Sequence, residues 1–124
     1  MTTTSPGARS RGRAKVPRSV ADAMQRPISE VYAEIFSALQ EPLRLRILML
    51  VASAGTDEFP CTSLEKELPV AKSTISYHVK ILRKAGLLSV RKEGRYFRYT
   101  AREDFIEHFL PGMLDTLIDE DGAP

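Results

Sequence analysis

The sequence predicts a mainly α-helical fold with one small β-hairpin, and three observations lead there. Apolar residues recur at helical spacing through much of residues 28–85, beginning with Val31, Ile35 and Leu39. A Glu93-Gly94 pair separates two short β-prone runs, Leu88–Lys92 and Arg95–Thr100, and marks a two-residue hairpin turn. Basic residues are concentrated around that hairpin. Residues 71–102 hold nine Lys/Arg and one acid, a local charge of +8, whereas the whole 124-residue chain carries +2.

The first 27 residues are rich in Thr, Ser, Gly, Pro and Arg and poor in large apolar groups. Such a segment cannot bury enough surface to offset the entropy of ordering it, so 1–27 is expected to be a disordered basic tail. Ser29 can cap a first helix that runs to about Leu39, with Tyr32 and Phe36 widening its apolar stripe. Pro42 suits the first turn of a second helix, which continues to about Ala54. That helix is apolar on most sides (Leu43, Leu45, Ile47, Leu48, Leu50, Val51), so it belongs in the centre, and Gly55 stops it.

Thr62 and Glu65 form a capping-box pattern ahead of a short third helix, Ser63–Leu68. Pro69-Val70-Ala71 makes a tight connection to a fourth helix that ends near Ala85, with Gly86 as its stop. After the hairpin, Thr100 and Glu103 repeat the capping box and open a fifth helix, which Pro111-Gly112 kinks or breaks before a last apolar turn, Met113–Ile118. A short helix, a tight turn, a second helix and then a basic hairpin is the winged helix-turn-helix plan: about five helices and a two-stranded wing. The expected domain spans 28–119, with 120–124 as a flexible end.

Composition narrows the function. No apolar run approaches the roughly 18 residues that a membrane-spanning helix needs, so no membrane partner is expected. The single cysteine excludes an internal disulfide framework and fits a reducing, cytoplasmic setting. Charge alternates along the chain. Residues 1–27 carry six Lys/Arg against one acid (+5), residues 28–70 three against seven (−4), and residues 103–124 none against seven (−7). The pattern calls for one basic face and an acidic region directed elsewhere. No nucleophile–base pair or Gly-rich phosphate loop argues for an enzyme, and no cofactor is expected.

The fourth helix has two distinct faces. Ile75, Val79 and Leu82 should face the core, while Ser73, Ser76, Tyr77, Lys80 and Lys84 should face out. Hydroxyls, a tyrosine ring and lysines suit a DNA groove, where they bond phosphates and base edges. Lys72, Thr74 and His78 flank this face and join the candidate double-stranded DNA contacts. On the hairpin, Leu88, Val90, Phe97 and Tyr99 can share an inward face, leaving Arg91, Lys92, Arg95 and Arg98 for the DNA backbone or minor groove. The basic tail is a second candidate arm. The competing reading is a winged-helix module that binds protein and uses DNA weakly or not at all.

Three segments, ALQEPLRLRIL (38–48), STISYHVKILRKAGLL (73–88) and RKEGRYFRYT (91–100), resemble the diagnostic segments of the ArsR family of small, dimeric bacterial winged-helix repressors. The resemblance covers about residues 30–110. It implies a homodimer built from the first and last helices, the fourth helix in the major groove and the hairpin as wing. The residues offer apolar stripes for that dimer, Val31, Ile35 and Leu39 at one end and Phe105, Phe109, Leu114 and Leu117 at the other. The same stripes could instead close the monomer's own core.

Many members of that family release DNA on binding a metal. Their thiophilic sites need two or more cysteines, and here Cys61 stands alone. Their zinc-type site needs two His-containing pairs, and the last helix has Asp104, Glu107 and His108 but no second His. No metal site is therefore expected, redox sensing through Cys61 lacks a partner thiol, and the effector is left open.

Overall fold

The structure, a computed structural model, describes residues 16–55 and 57–119. Its elements are α1 (Val20–Ala23), α2 (Ile28–Leu39), α3 (Pro42–Ala52), β1 (Phe59–Pro60), α4 (Cys61–Glu67), α5 (Lys72–Lys84), β2 (Leu88–Glu93), β3 (Tyr96–Ala101), α6 (Glu103–Phe109) and α7 (Met113–Leu117). The strands form one antiparallel sheet in the order β1-β3-β2. This is the winged helix-turn-helix plan, with seven helices among the described residues rather than five and a third strand added to the wing.

Helix α3 is the hub, as its apolar character on most sides requires. Ile47, Leu48 and Val51 are fully buried, and the helix packs against α2, α5, α7 and β3. Pro42 stands in its first turn and Glu41 caps it, accepting from the Arg44 amide at 3.0 Å. That amide hydrogen bond is also the main reason the Glu41 carboxyl is held below its usual range. The α4–α5 connection is set by Pro69. A proline disfavours helical backbone at the residue before it, and Leu68 accordingly adopts φ −116°, ψ 129° and ends α4. Helix α5 ends as expected at Gly86, whose φ of +94° suits glycine. A Cβ there would lie 2.6 Å from Cζ of Phe105, which is itself fully buried. The chain reversal after α5 and the seating of α6 therefore depend on the same missing side chain.

Several expectations change. Residues 1–15 lie outside the described residues, but 16–27 are not a featureless tail. Ser19 caps the one-turn helix α1 by accepting from the Asp22 amide at 3.1 Å, and Ala23 is buried. Arg102 donates to the carbonyl oxygens of Pro17 and Arg18, and Arg26 donates to Glu34 at 2.9 Å. The segment's cap is local, but what seats it against the body is the long-range grip of Arg102, 84 and 85 residues away in sequence. Ser29 is not a cap: Pro27 occupies that position and α2 starts at Ile28. Neither capping box forms. Thr62 is inside α4, whose cap is Pro60, while Thr100 stays in β3 opposite Ser89 and α6 starts after Arg102. The last helix is divided at Pro111-Gly112 into α6 and α7, with Gly112 at φ +82°.

Candidate nucleic-acid interface

The polar face of α5 is open. Ser73, Ser76, Tyr77, Lys80 and Lys84 are exposed, Tyr77 by 60%, and Lys72 is exposed at the helix start. Thr74 is half-buried at the margin. Opposite them Ile75, Val79 and Leu82 are buried and hold the helix to the body. Helical periodicity thus separates the two faces as expected.

His78 is a correction. It is only 8% exposed, so it is not part of the open face. Its Nδ1 lies 3.1 Å from Nη1 of Arg44, a buried arginine whose Nε donates to the Ala38 carbonyl at 2.8 Å and whose Nη2 donates to the Ser37 carbonyl at 3.3 Å. An arginine can only donate, so Nδ1 accepts and the neutral ring carries its proton on Nε2. Ser37 and Ala38 are in the last turn of α2, where carbonyls lack helical partners. One side chain from α3 therefore caps α2 and grips α5. The Tyr77 ring stands edge-on to His78, with centroids 5.2 Å apart. The buried pair thus braces the most exposed aromatic of the open face.

The wing differs from the two-stranded expectation in three ways. Its turn is Gly94-Arg95 rather than Glu93-Gly94, because Glu93 pairs with Tyr96 and Gly94 takes φ +63°. Phe59 and Pro60 add β1 beside β3, opposite Tyr99 and Arg98. Finally, the inward face is shorter than predicted. Leu88, Tyr99 and Ala101 are buried and Val90 is half-buried, but Phe97 is 41% exposed opposite exposed Lys92. The hairpin projects past the body, so alternation continues where there is nothing left to cover it. Tyr96 and Phe97 are therefore exposed aromatics next to the tip. Their signal in the sequence was proximity to the turn.

The wing cations divide into two kinds. Arg91 and Arg98 face each other across β2 and β3, and each holds a carboxylate. Arg91 makes a bidentate pair with Glu58 at 2.6 and 2.7 Å, and Arg98 meets Glu93 at 2.6 Å. Those hydrogen bonds are the leading cause that holds both carboxyls below their usual range. Lys92 and Arg95 are exposed and make no ion pair among the described residues. Burial pushes the Tyr99 phenol, beneath the sheet, up to about 12, with Cys61 and Glu65 adding to the effect.

The dimer stripes are also corrected. Val31, Ile35, Phe105, Phe109 and Leu114 are at most 9% exposed within the single chain, and Leu39 and Leu117 are half-buried. The first five belong to the monomer's own core and Leu39 packs against it. The apolar surface that stays open is one step round α2: Ile28 (48%) and Phe36 (55%), with Met24 (51%) just before them. Tyr32 lies between them, its hydroxyl donating to the Phe109 carbonyl at 3.0 Å and its ring 5.7 Å from Phe36. Cys61 is half-buried in α4, and Asp104 and His108 are exposed on α6. Among the described residues no three His, Cys, Asp or Glu side chains converge as metal ligands, and no helix is long and apolar enough to cross a membrane.

Comparison with known proteins agrees with this geometry. A helix-turn-helix domain profile matches residues 29–91. An HTH-type transcriptional regulator of Bacillus subtilis is 37% identical over 94 residues, covering 76% of this chain and 93% of the relative. Another, of Methanocaldococcus jannaschii, is 39% identical over 88 residues, covering 71% and 96%. The solved structure of an ArsR-like transcriptional regulator from Rhodococcus superposes with a TM-score of 0.55 at 26% identity, covering 77% of this chain and 82% of that one. With the reading pair, the wing and the relatives in agreement, the chain belongs to the ArsR-like helix-turn-helix transcriptional regulators.

Proposed function

We propose that this DNA-binding transcriptional regulator is a cytoplasmic repressor that binds an inverted-repeat operator as a homodimer. The carrying observation is the open polar face of α5, with Tyr77 braced on the buried His78–Arg44 pair beside a wing on which Lys92 and Arg95 make no ion pair among the described residues. Ser73, Ser76, Tyr77 and Lys80 read the major groove, Lys72, Lys84, Lys92 and Arg95 hold phosphates, and Thr74 sits at the edge. The exposed Met24–Ile28–Phe36 surface supports the twofold partner. In such a dimer the two reading helices fall about one turn of DNA apart, roughly 34–36 Å.

Selection of genomic DNA fragments on the purified protein, followed by titration of the recovered site against random duplex, tests this reading. Tyr77→Ala is expected to reduce discrimination about 10-fold, in line with the worth of one base contact. Arg95→Ala is expected to weaken both duplexes alike. Equal losses on both duplexes for Tyr77→Ala refute its reading role, and a failure to enrich any fragment refutes the function.

A further inference from the structure

The wing arginines are not idle cations waiting for DNA. Arg91 and Arg98 are directly opposed on neighbouring strands, an arrangement that like charges disfavour. Two carboxylates resolve it. Glu58 arrives from the loop before β1 and reaches Arg91 with two hydrogen bonds of 2.6 and 2.7 Å. Glu93, at the tip of β2, lies 3.5 Å from Arg91 and 2.6 Å from Arg98. The result is a chain of four alternating charges, Glu58–Arg91–Glu93–Arg98, with no net charge. A planar guanidinium fork presents the same donors to a carboxylate as to a phosphate, so both ligands compete for one set of N–H groups.

We infer that Glu58 and Glu93 are specificity-determining residues that hold Arg91 and Arg98 away from DNA phosphates and so remove part of the wing's sequence-independent attraction. The inference rests on the DNA-reading function proposed above. Phosphate contacts carry no sequence information, so each one masked makes binding depend more on the base contacts of α5. Lys92 and Arg95, outside the network, keep the wing attracted to the duplex. The segment's high formal charge therefore overstates what a random duplex meets.

Neutralising the carboxylates tests this. Glu58→Gln/Glu93→Gln and Glu93→Gln alone are titrated with operator and random duplexes across a salt series, beside the unaltered protein. Each arginine released should steepen the log–log salt dependence by about 0.9, and the double variant should bind random DNA about 10-fold more tightly near 0.1 M salt. Discrimination between operator and random DNA should fall. A purely structural network predicts the reverse, weaker binding with no steeper slope. Unchanged or weaker binding of random DNA overturns the inference. If the double variant loses its melting transition, Glu93→Gln, at an exposed strand end, decides alone. Unaltered protein that binds no duplex refutes the DNA-reading function and this inference together. Binding that the variants merely match refutes this inference alone.

Discussion

Arg44→Met should be among the most damaging single changes outside the apolar core. The substitution keeps most of the apolar stem and removes every donor. Three acceptors lose their partner: the Ala38 carbonyl at 2.8 Å, the Ser37 carbonyl at 3.3 Å and His78 Nδ1 at 3.1 Å. A buried acceptor left unpaired costs about 1–3 kcal/mol. The long bond to Ser37 is half-exposed and counts for least, and methionine fills the space with little cavity. The expected loss is about 3 kcal/mol. For a domain near this size each kcal/mol lowers the melting temperature by about 4–8 °C, so a fall of about 12–24 °C is expected. Urea titration followed by circular dichroism gives the free energy directly. Arg44→Lys should lie between the two, because one ammonium cannot span three acceptors in that geometry. A loss below about 1 kcal/mol for Arg44→Met would refute the idea that this side chain caps α2 and grips α5.

Three further outcomes are expected. Gly86→Ala should cost about 2–4 kcal/mol by thermal melting, since alanine is strained at φ +94° and its methyl meets Phe105 at 2.6 Å. Phe36→Glu should weaken self-association about 30-fold or more in sedimentation equilibrium while leaving the helical signal intact, the loss expected for an interface anchor. The Glu58 and Glu93 carboxyls should titrate below the ordinary 4.5 in carbon-detected NMR. Their folded-state values are lowered, so their pairing stabilises the wing fully above pH 4.5 and fades as the pH drops through those values.

The elements that could be read from the sequence were those whose information is local and repeated. Helix α5 separates cleanly because Ile75, Val79 and Leu82 recur at one spacing and the polar residues at another. Helix α3 declared its burial by being apolar on most sides. Helix α2 shows the limit of that approach. It carries two apolar stripes one residue apart, and periodicity cannot say that Val31 and Ile35 face inward while Ile28 and Phe36 stay open. The neighbours decide that. His78 was misplaced for the same reason, since its partner Arg44 lies 34 residues away. Strand β1 is two residues long and contains a proline, too short for any alternation to register. The capping-box pattern misled at Thr62 and Thr100 because the backbone there was already committed, to the turn of Pro60 into α4 and to pairing with Ser89. The pairing of Arg91 with Glu58 spans 33 residues and had no local trace.

Pro60 is both the last residue of β1 and the cap of α4. No linker separates the wing's third strand from the first helix of the reading pair. The two devices are therefore rigidly geared: tilting the sheet must carry α4 with it, and α5 follows through the short Leu68–Ala71 turn. Length can be added to this protein only where that gearing is absent. The stretch from Ser53 to Gly55, after α3, lies outside that gearing, so an inserted loop or a reporter tag there leaves wing and reading pair in step, whereas a single residue placed between Pro60 and Cys61 would throw them out of step.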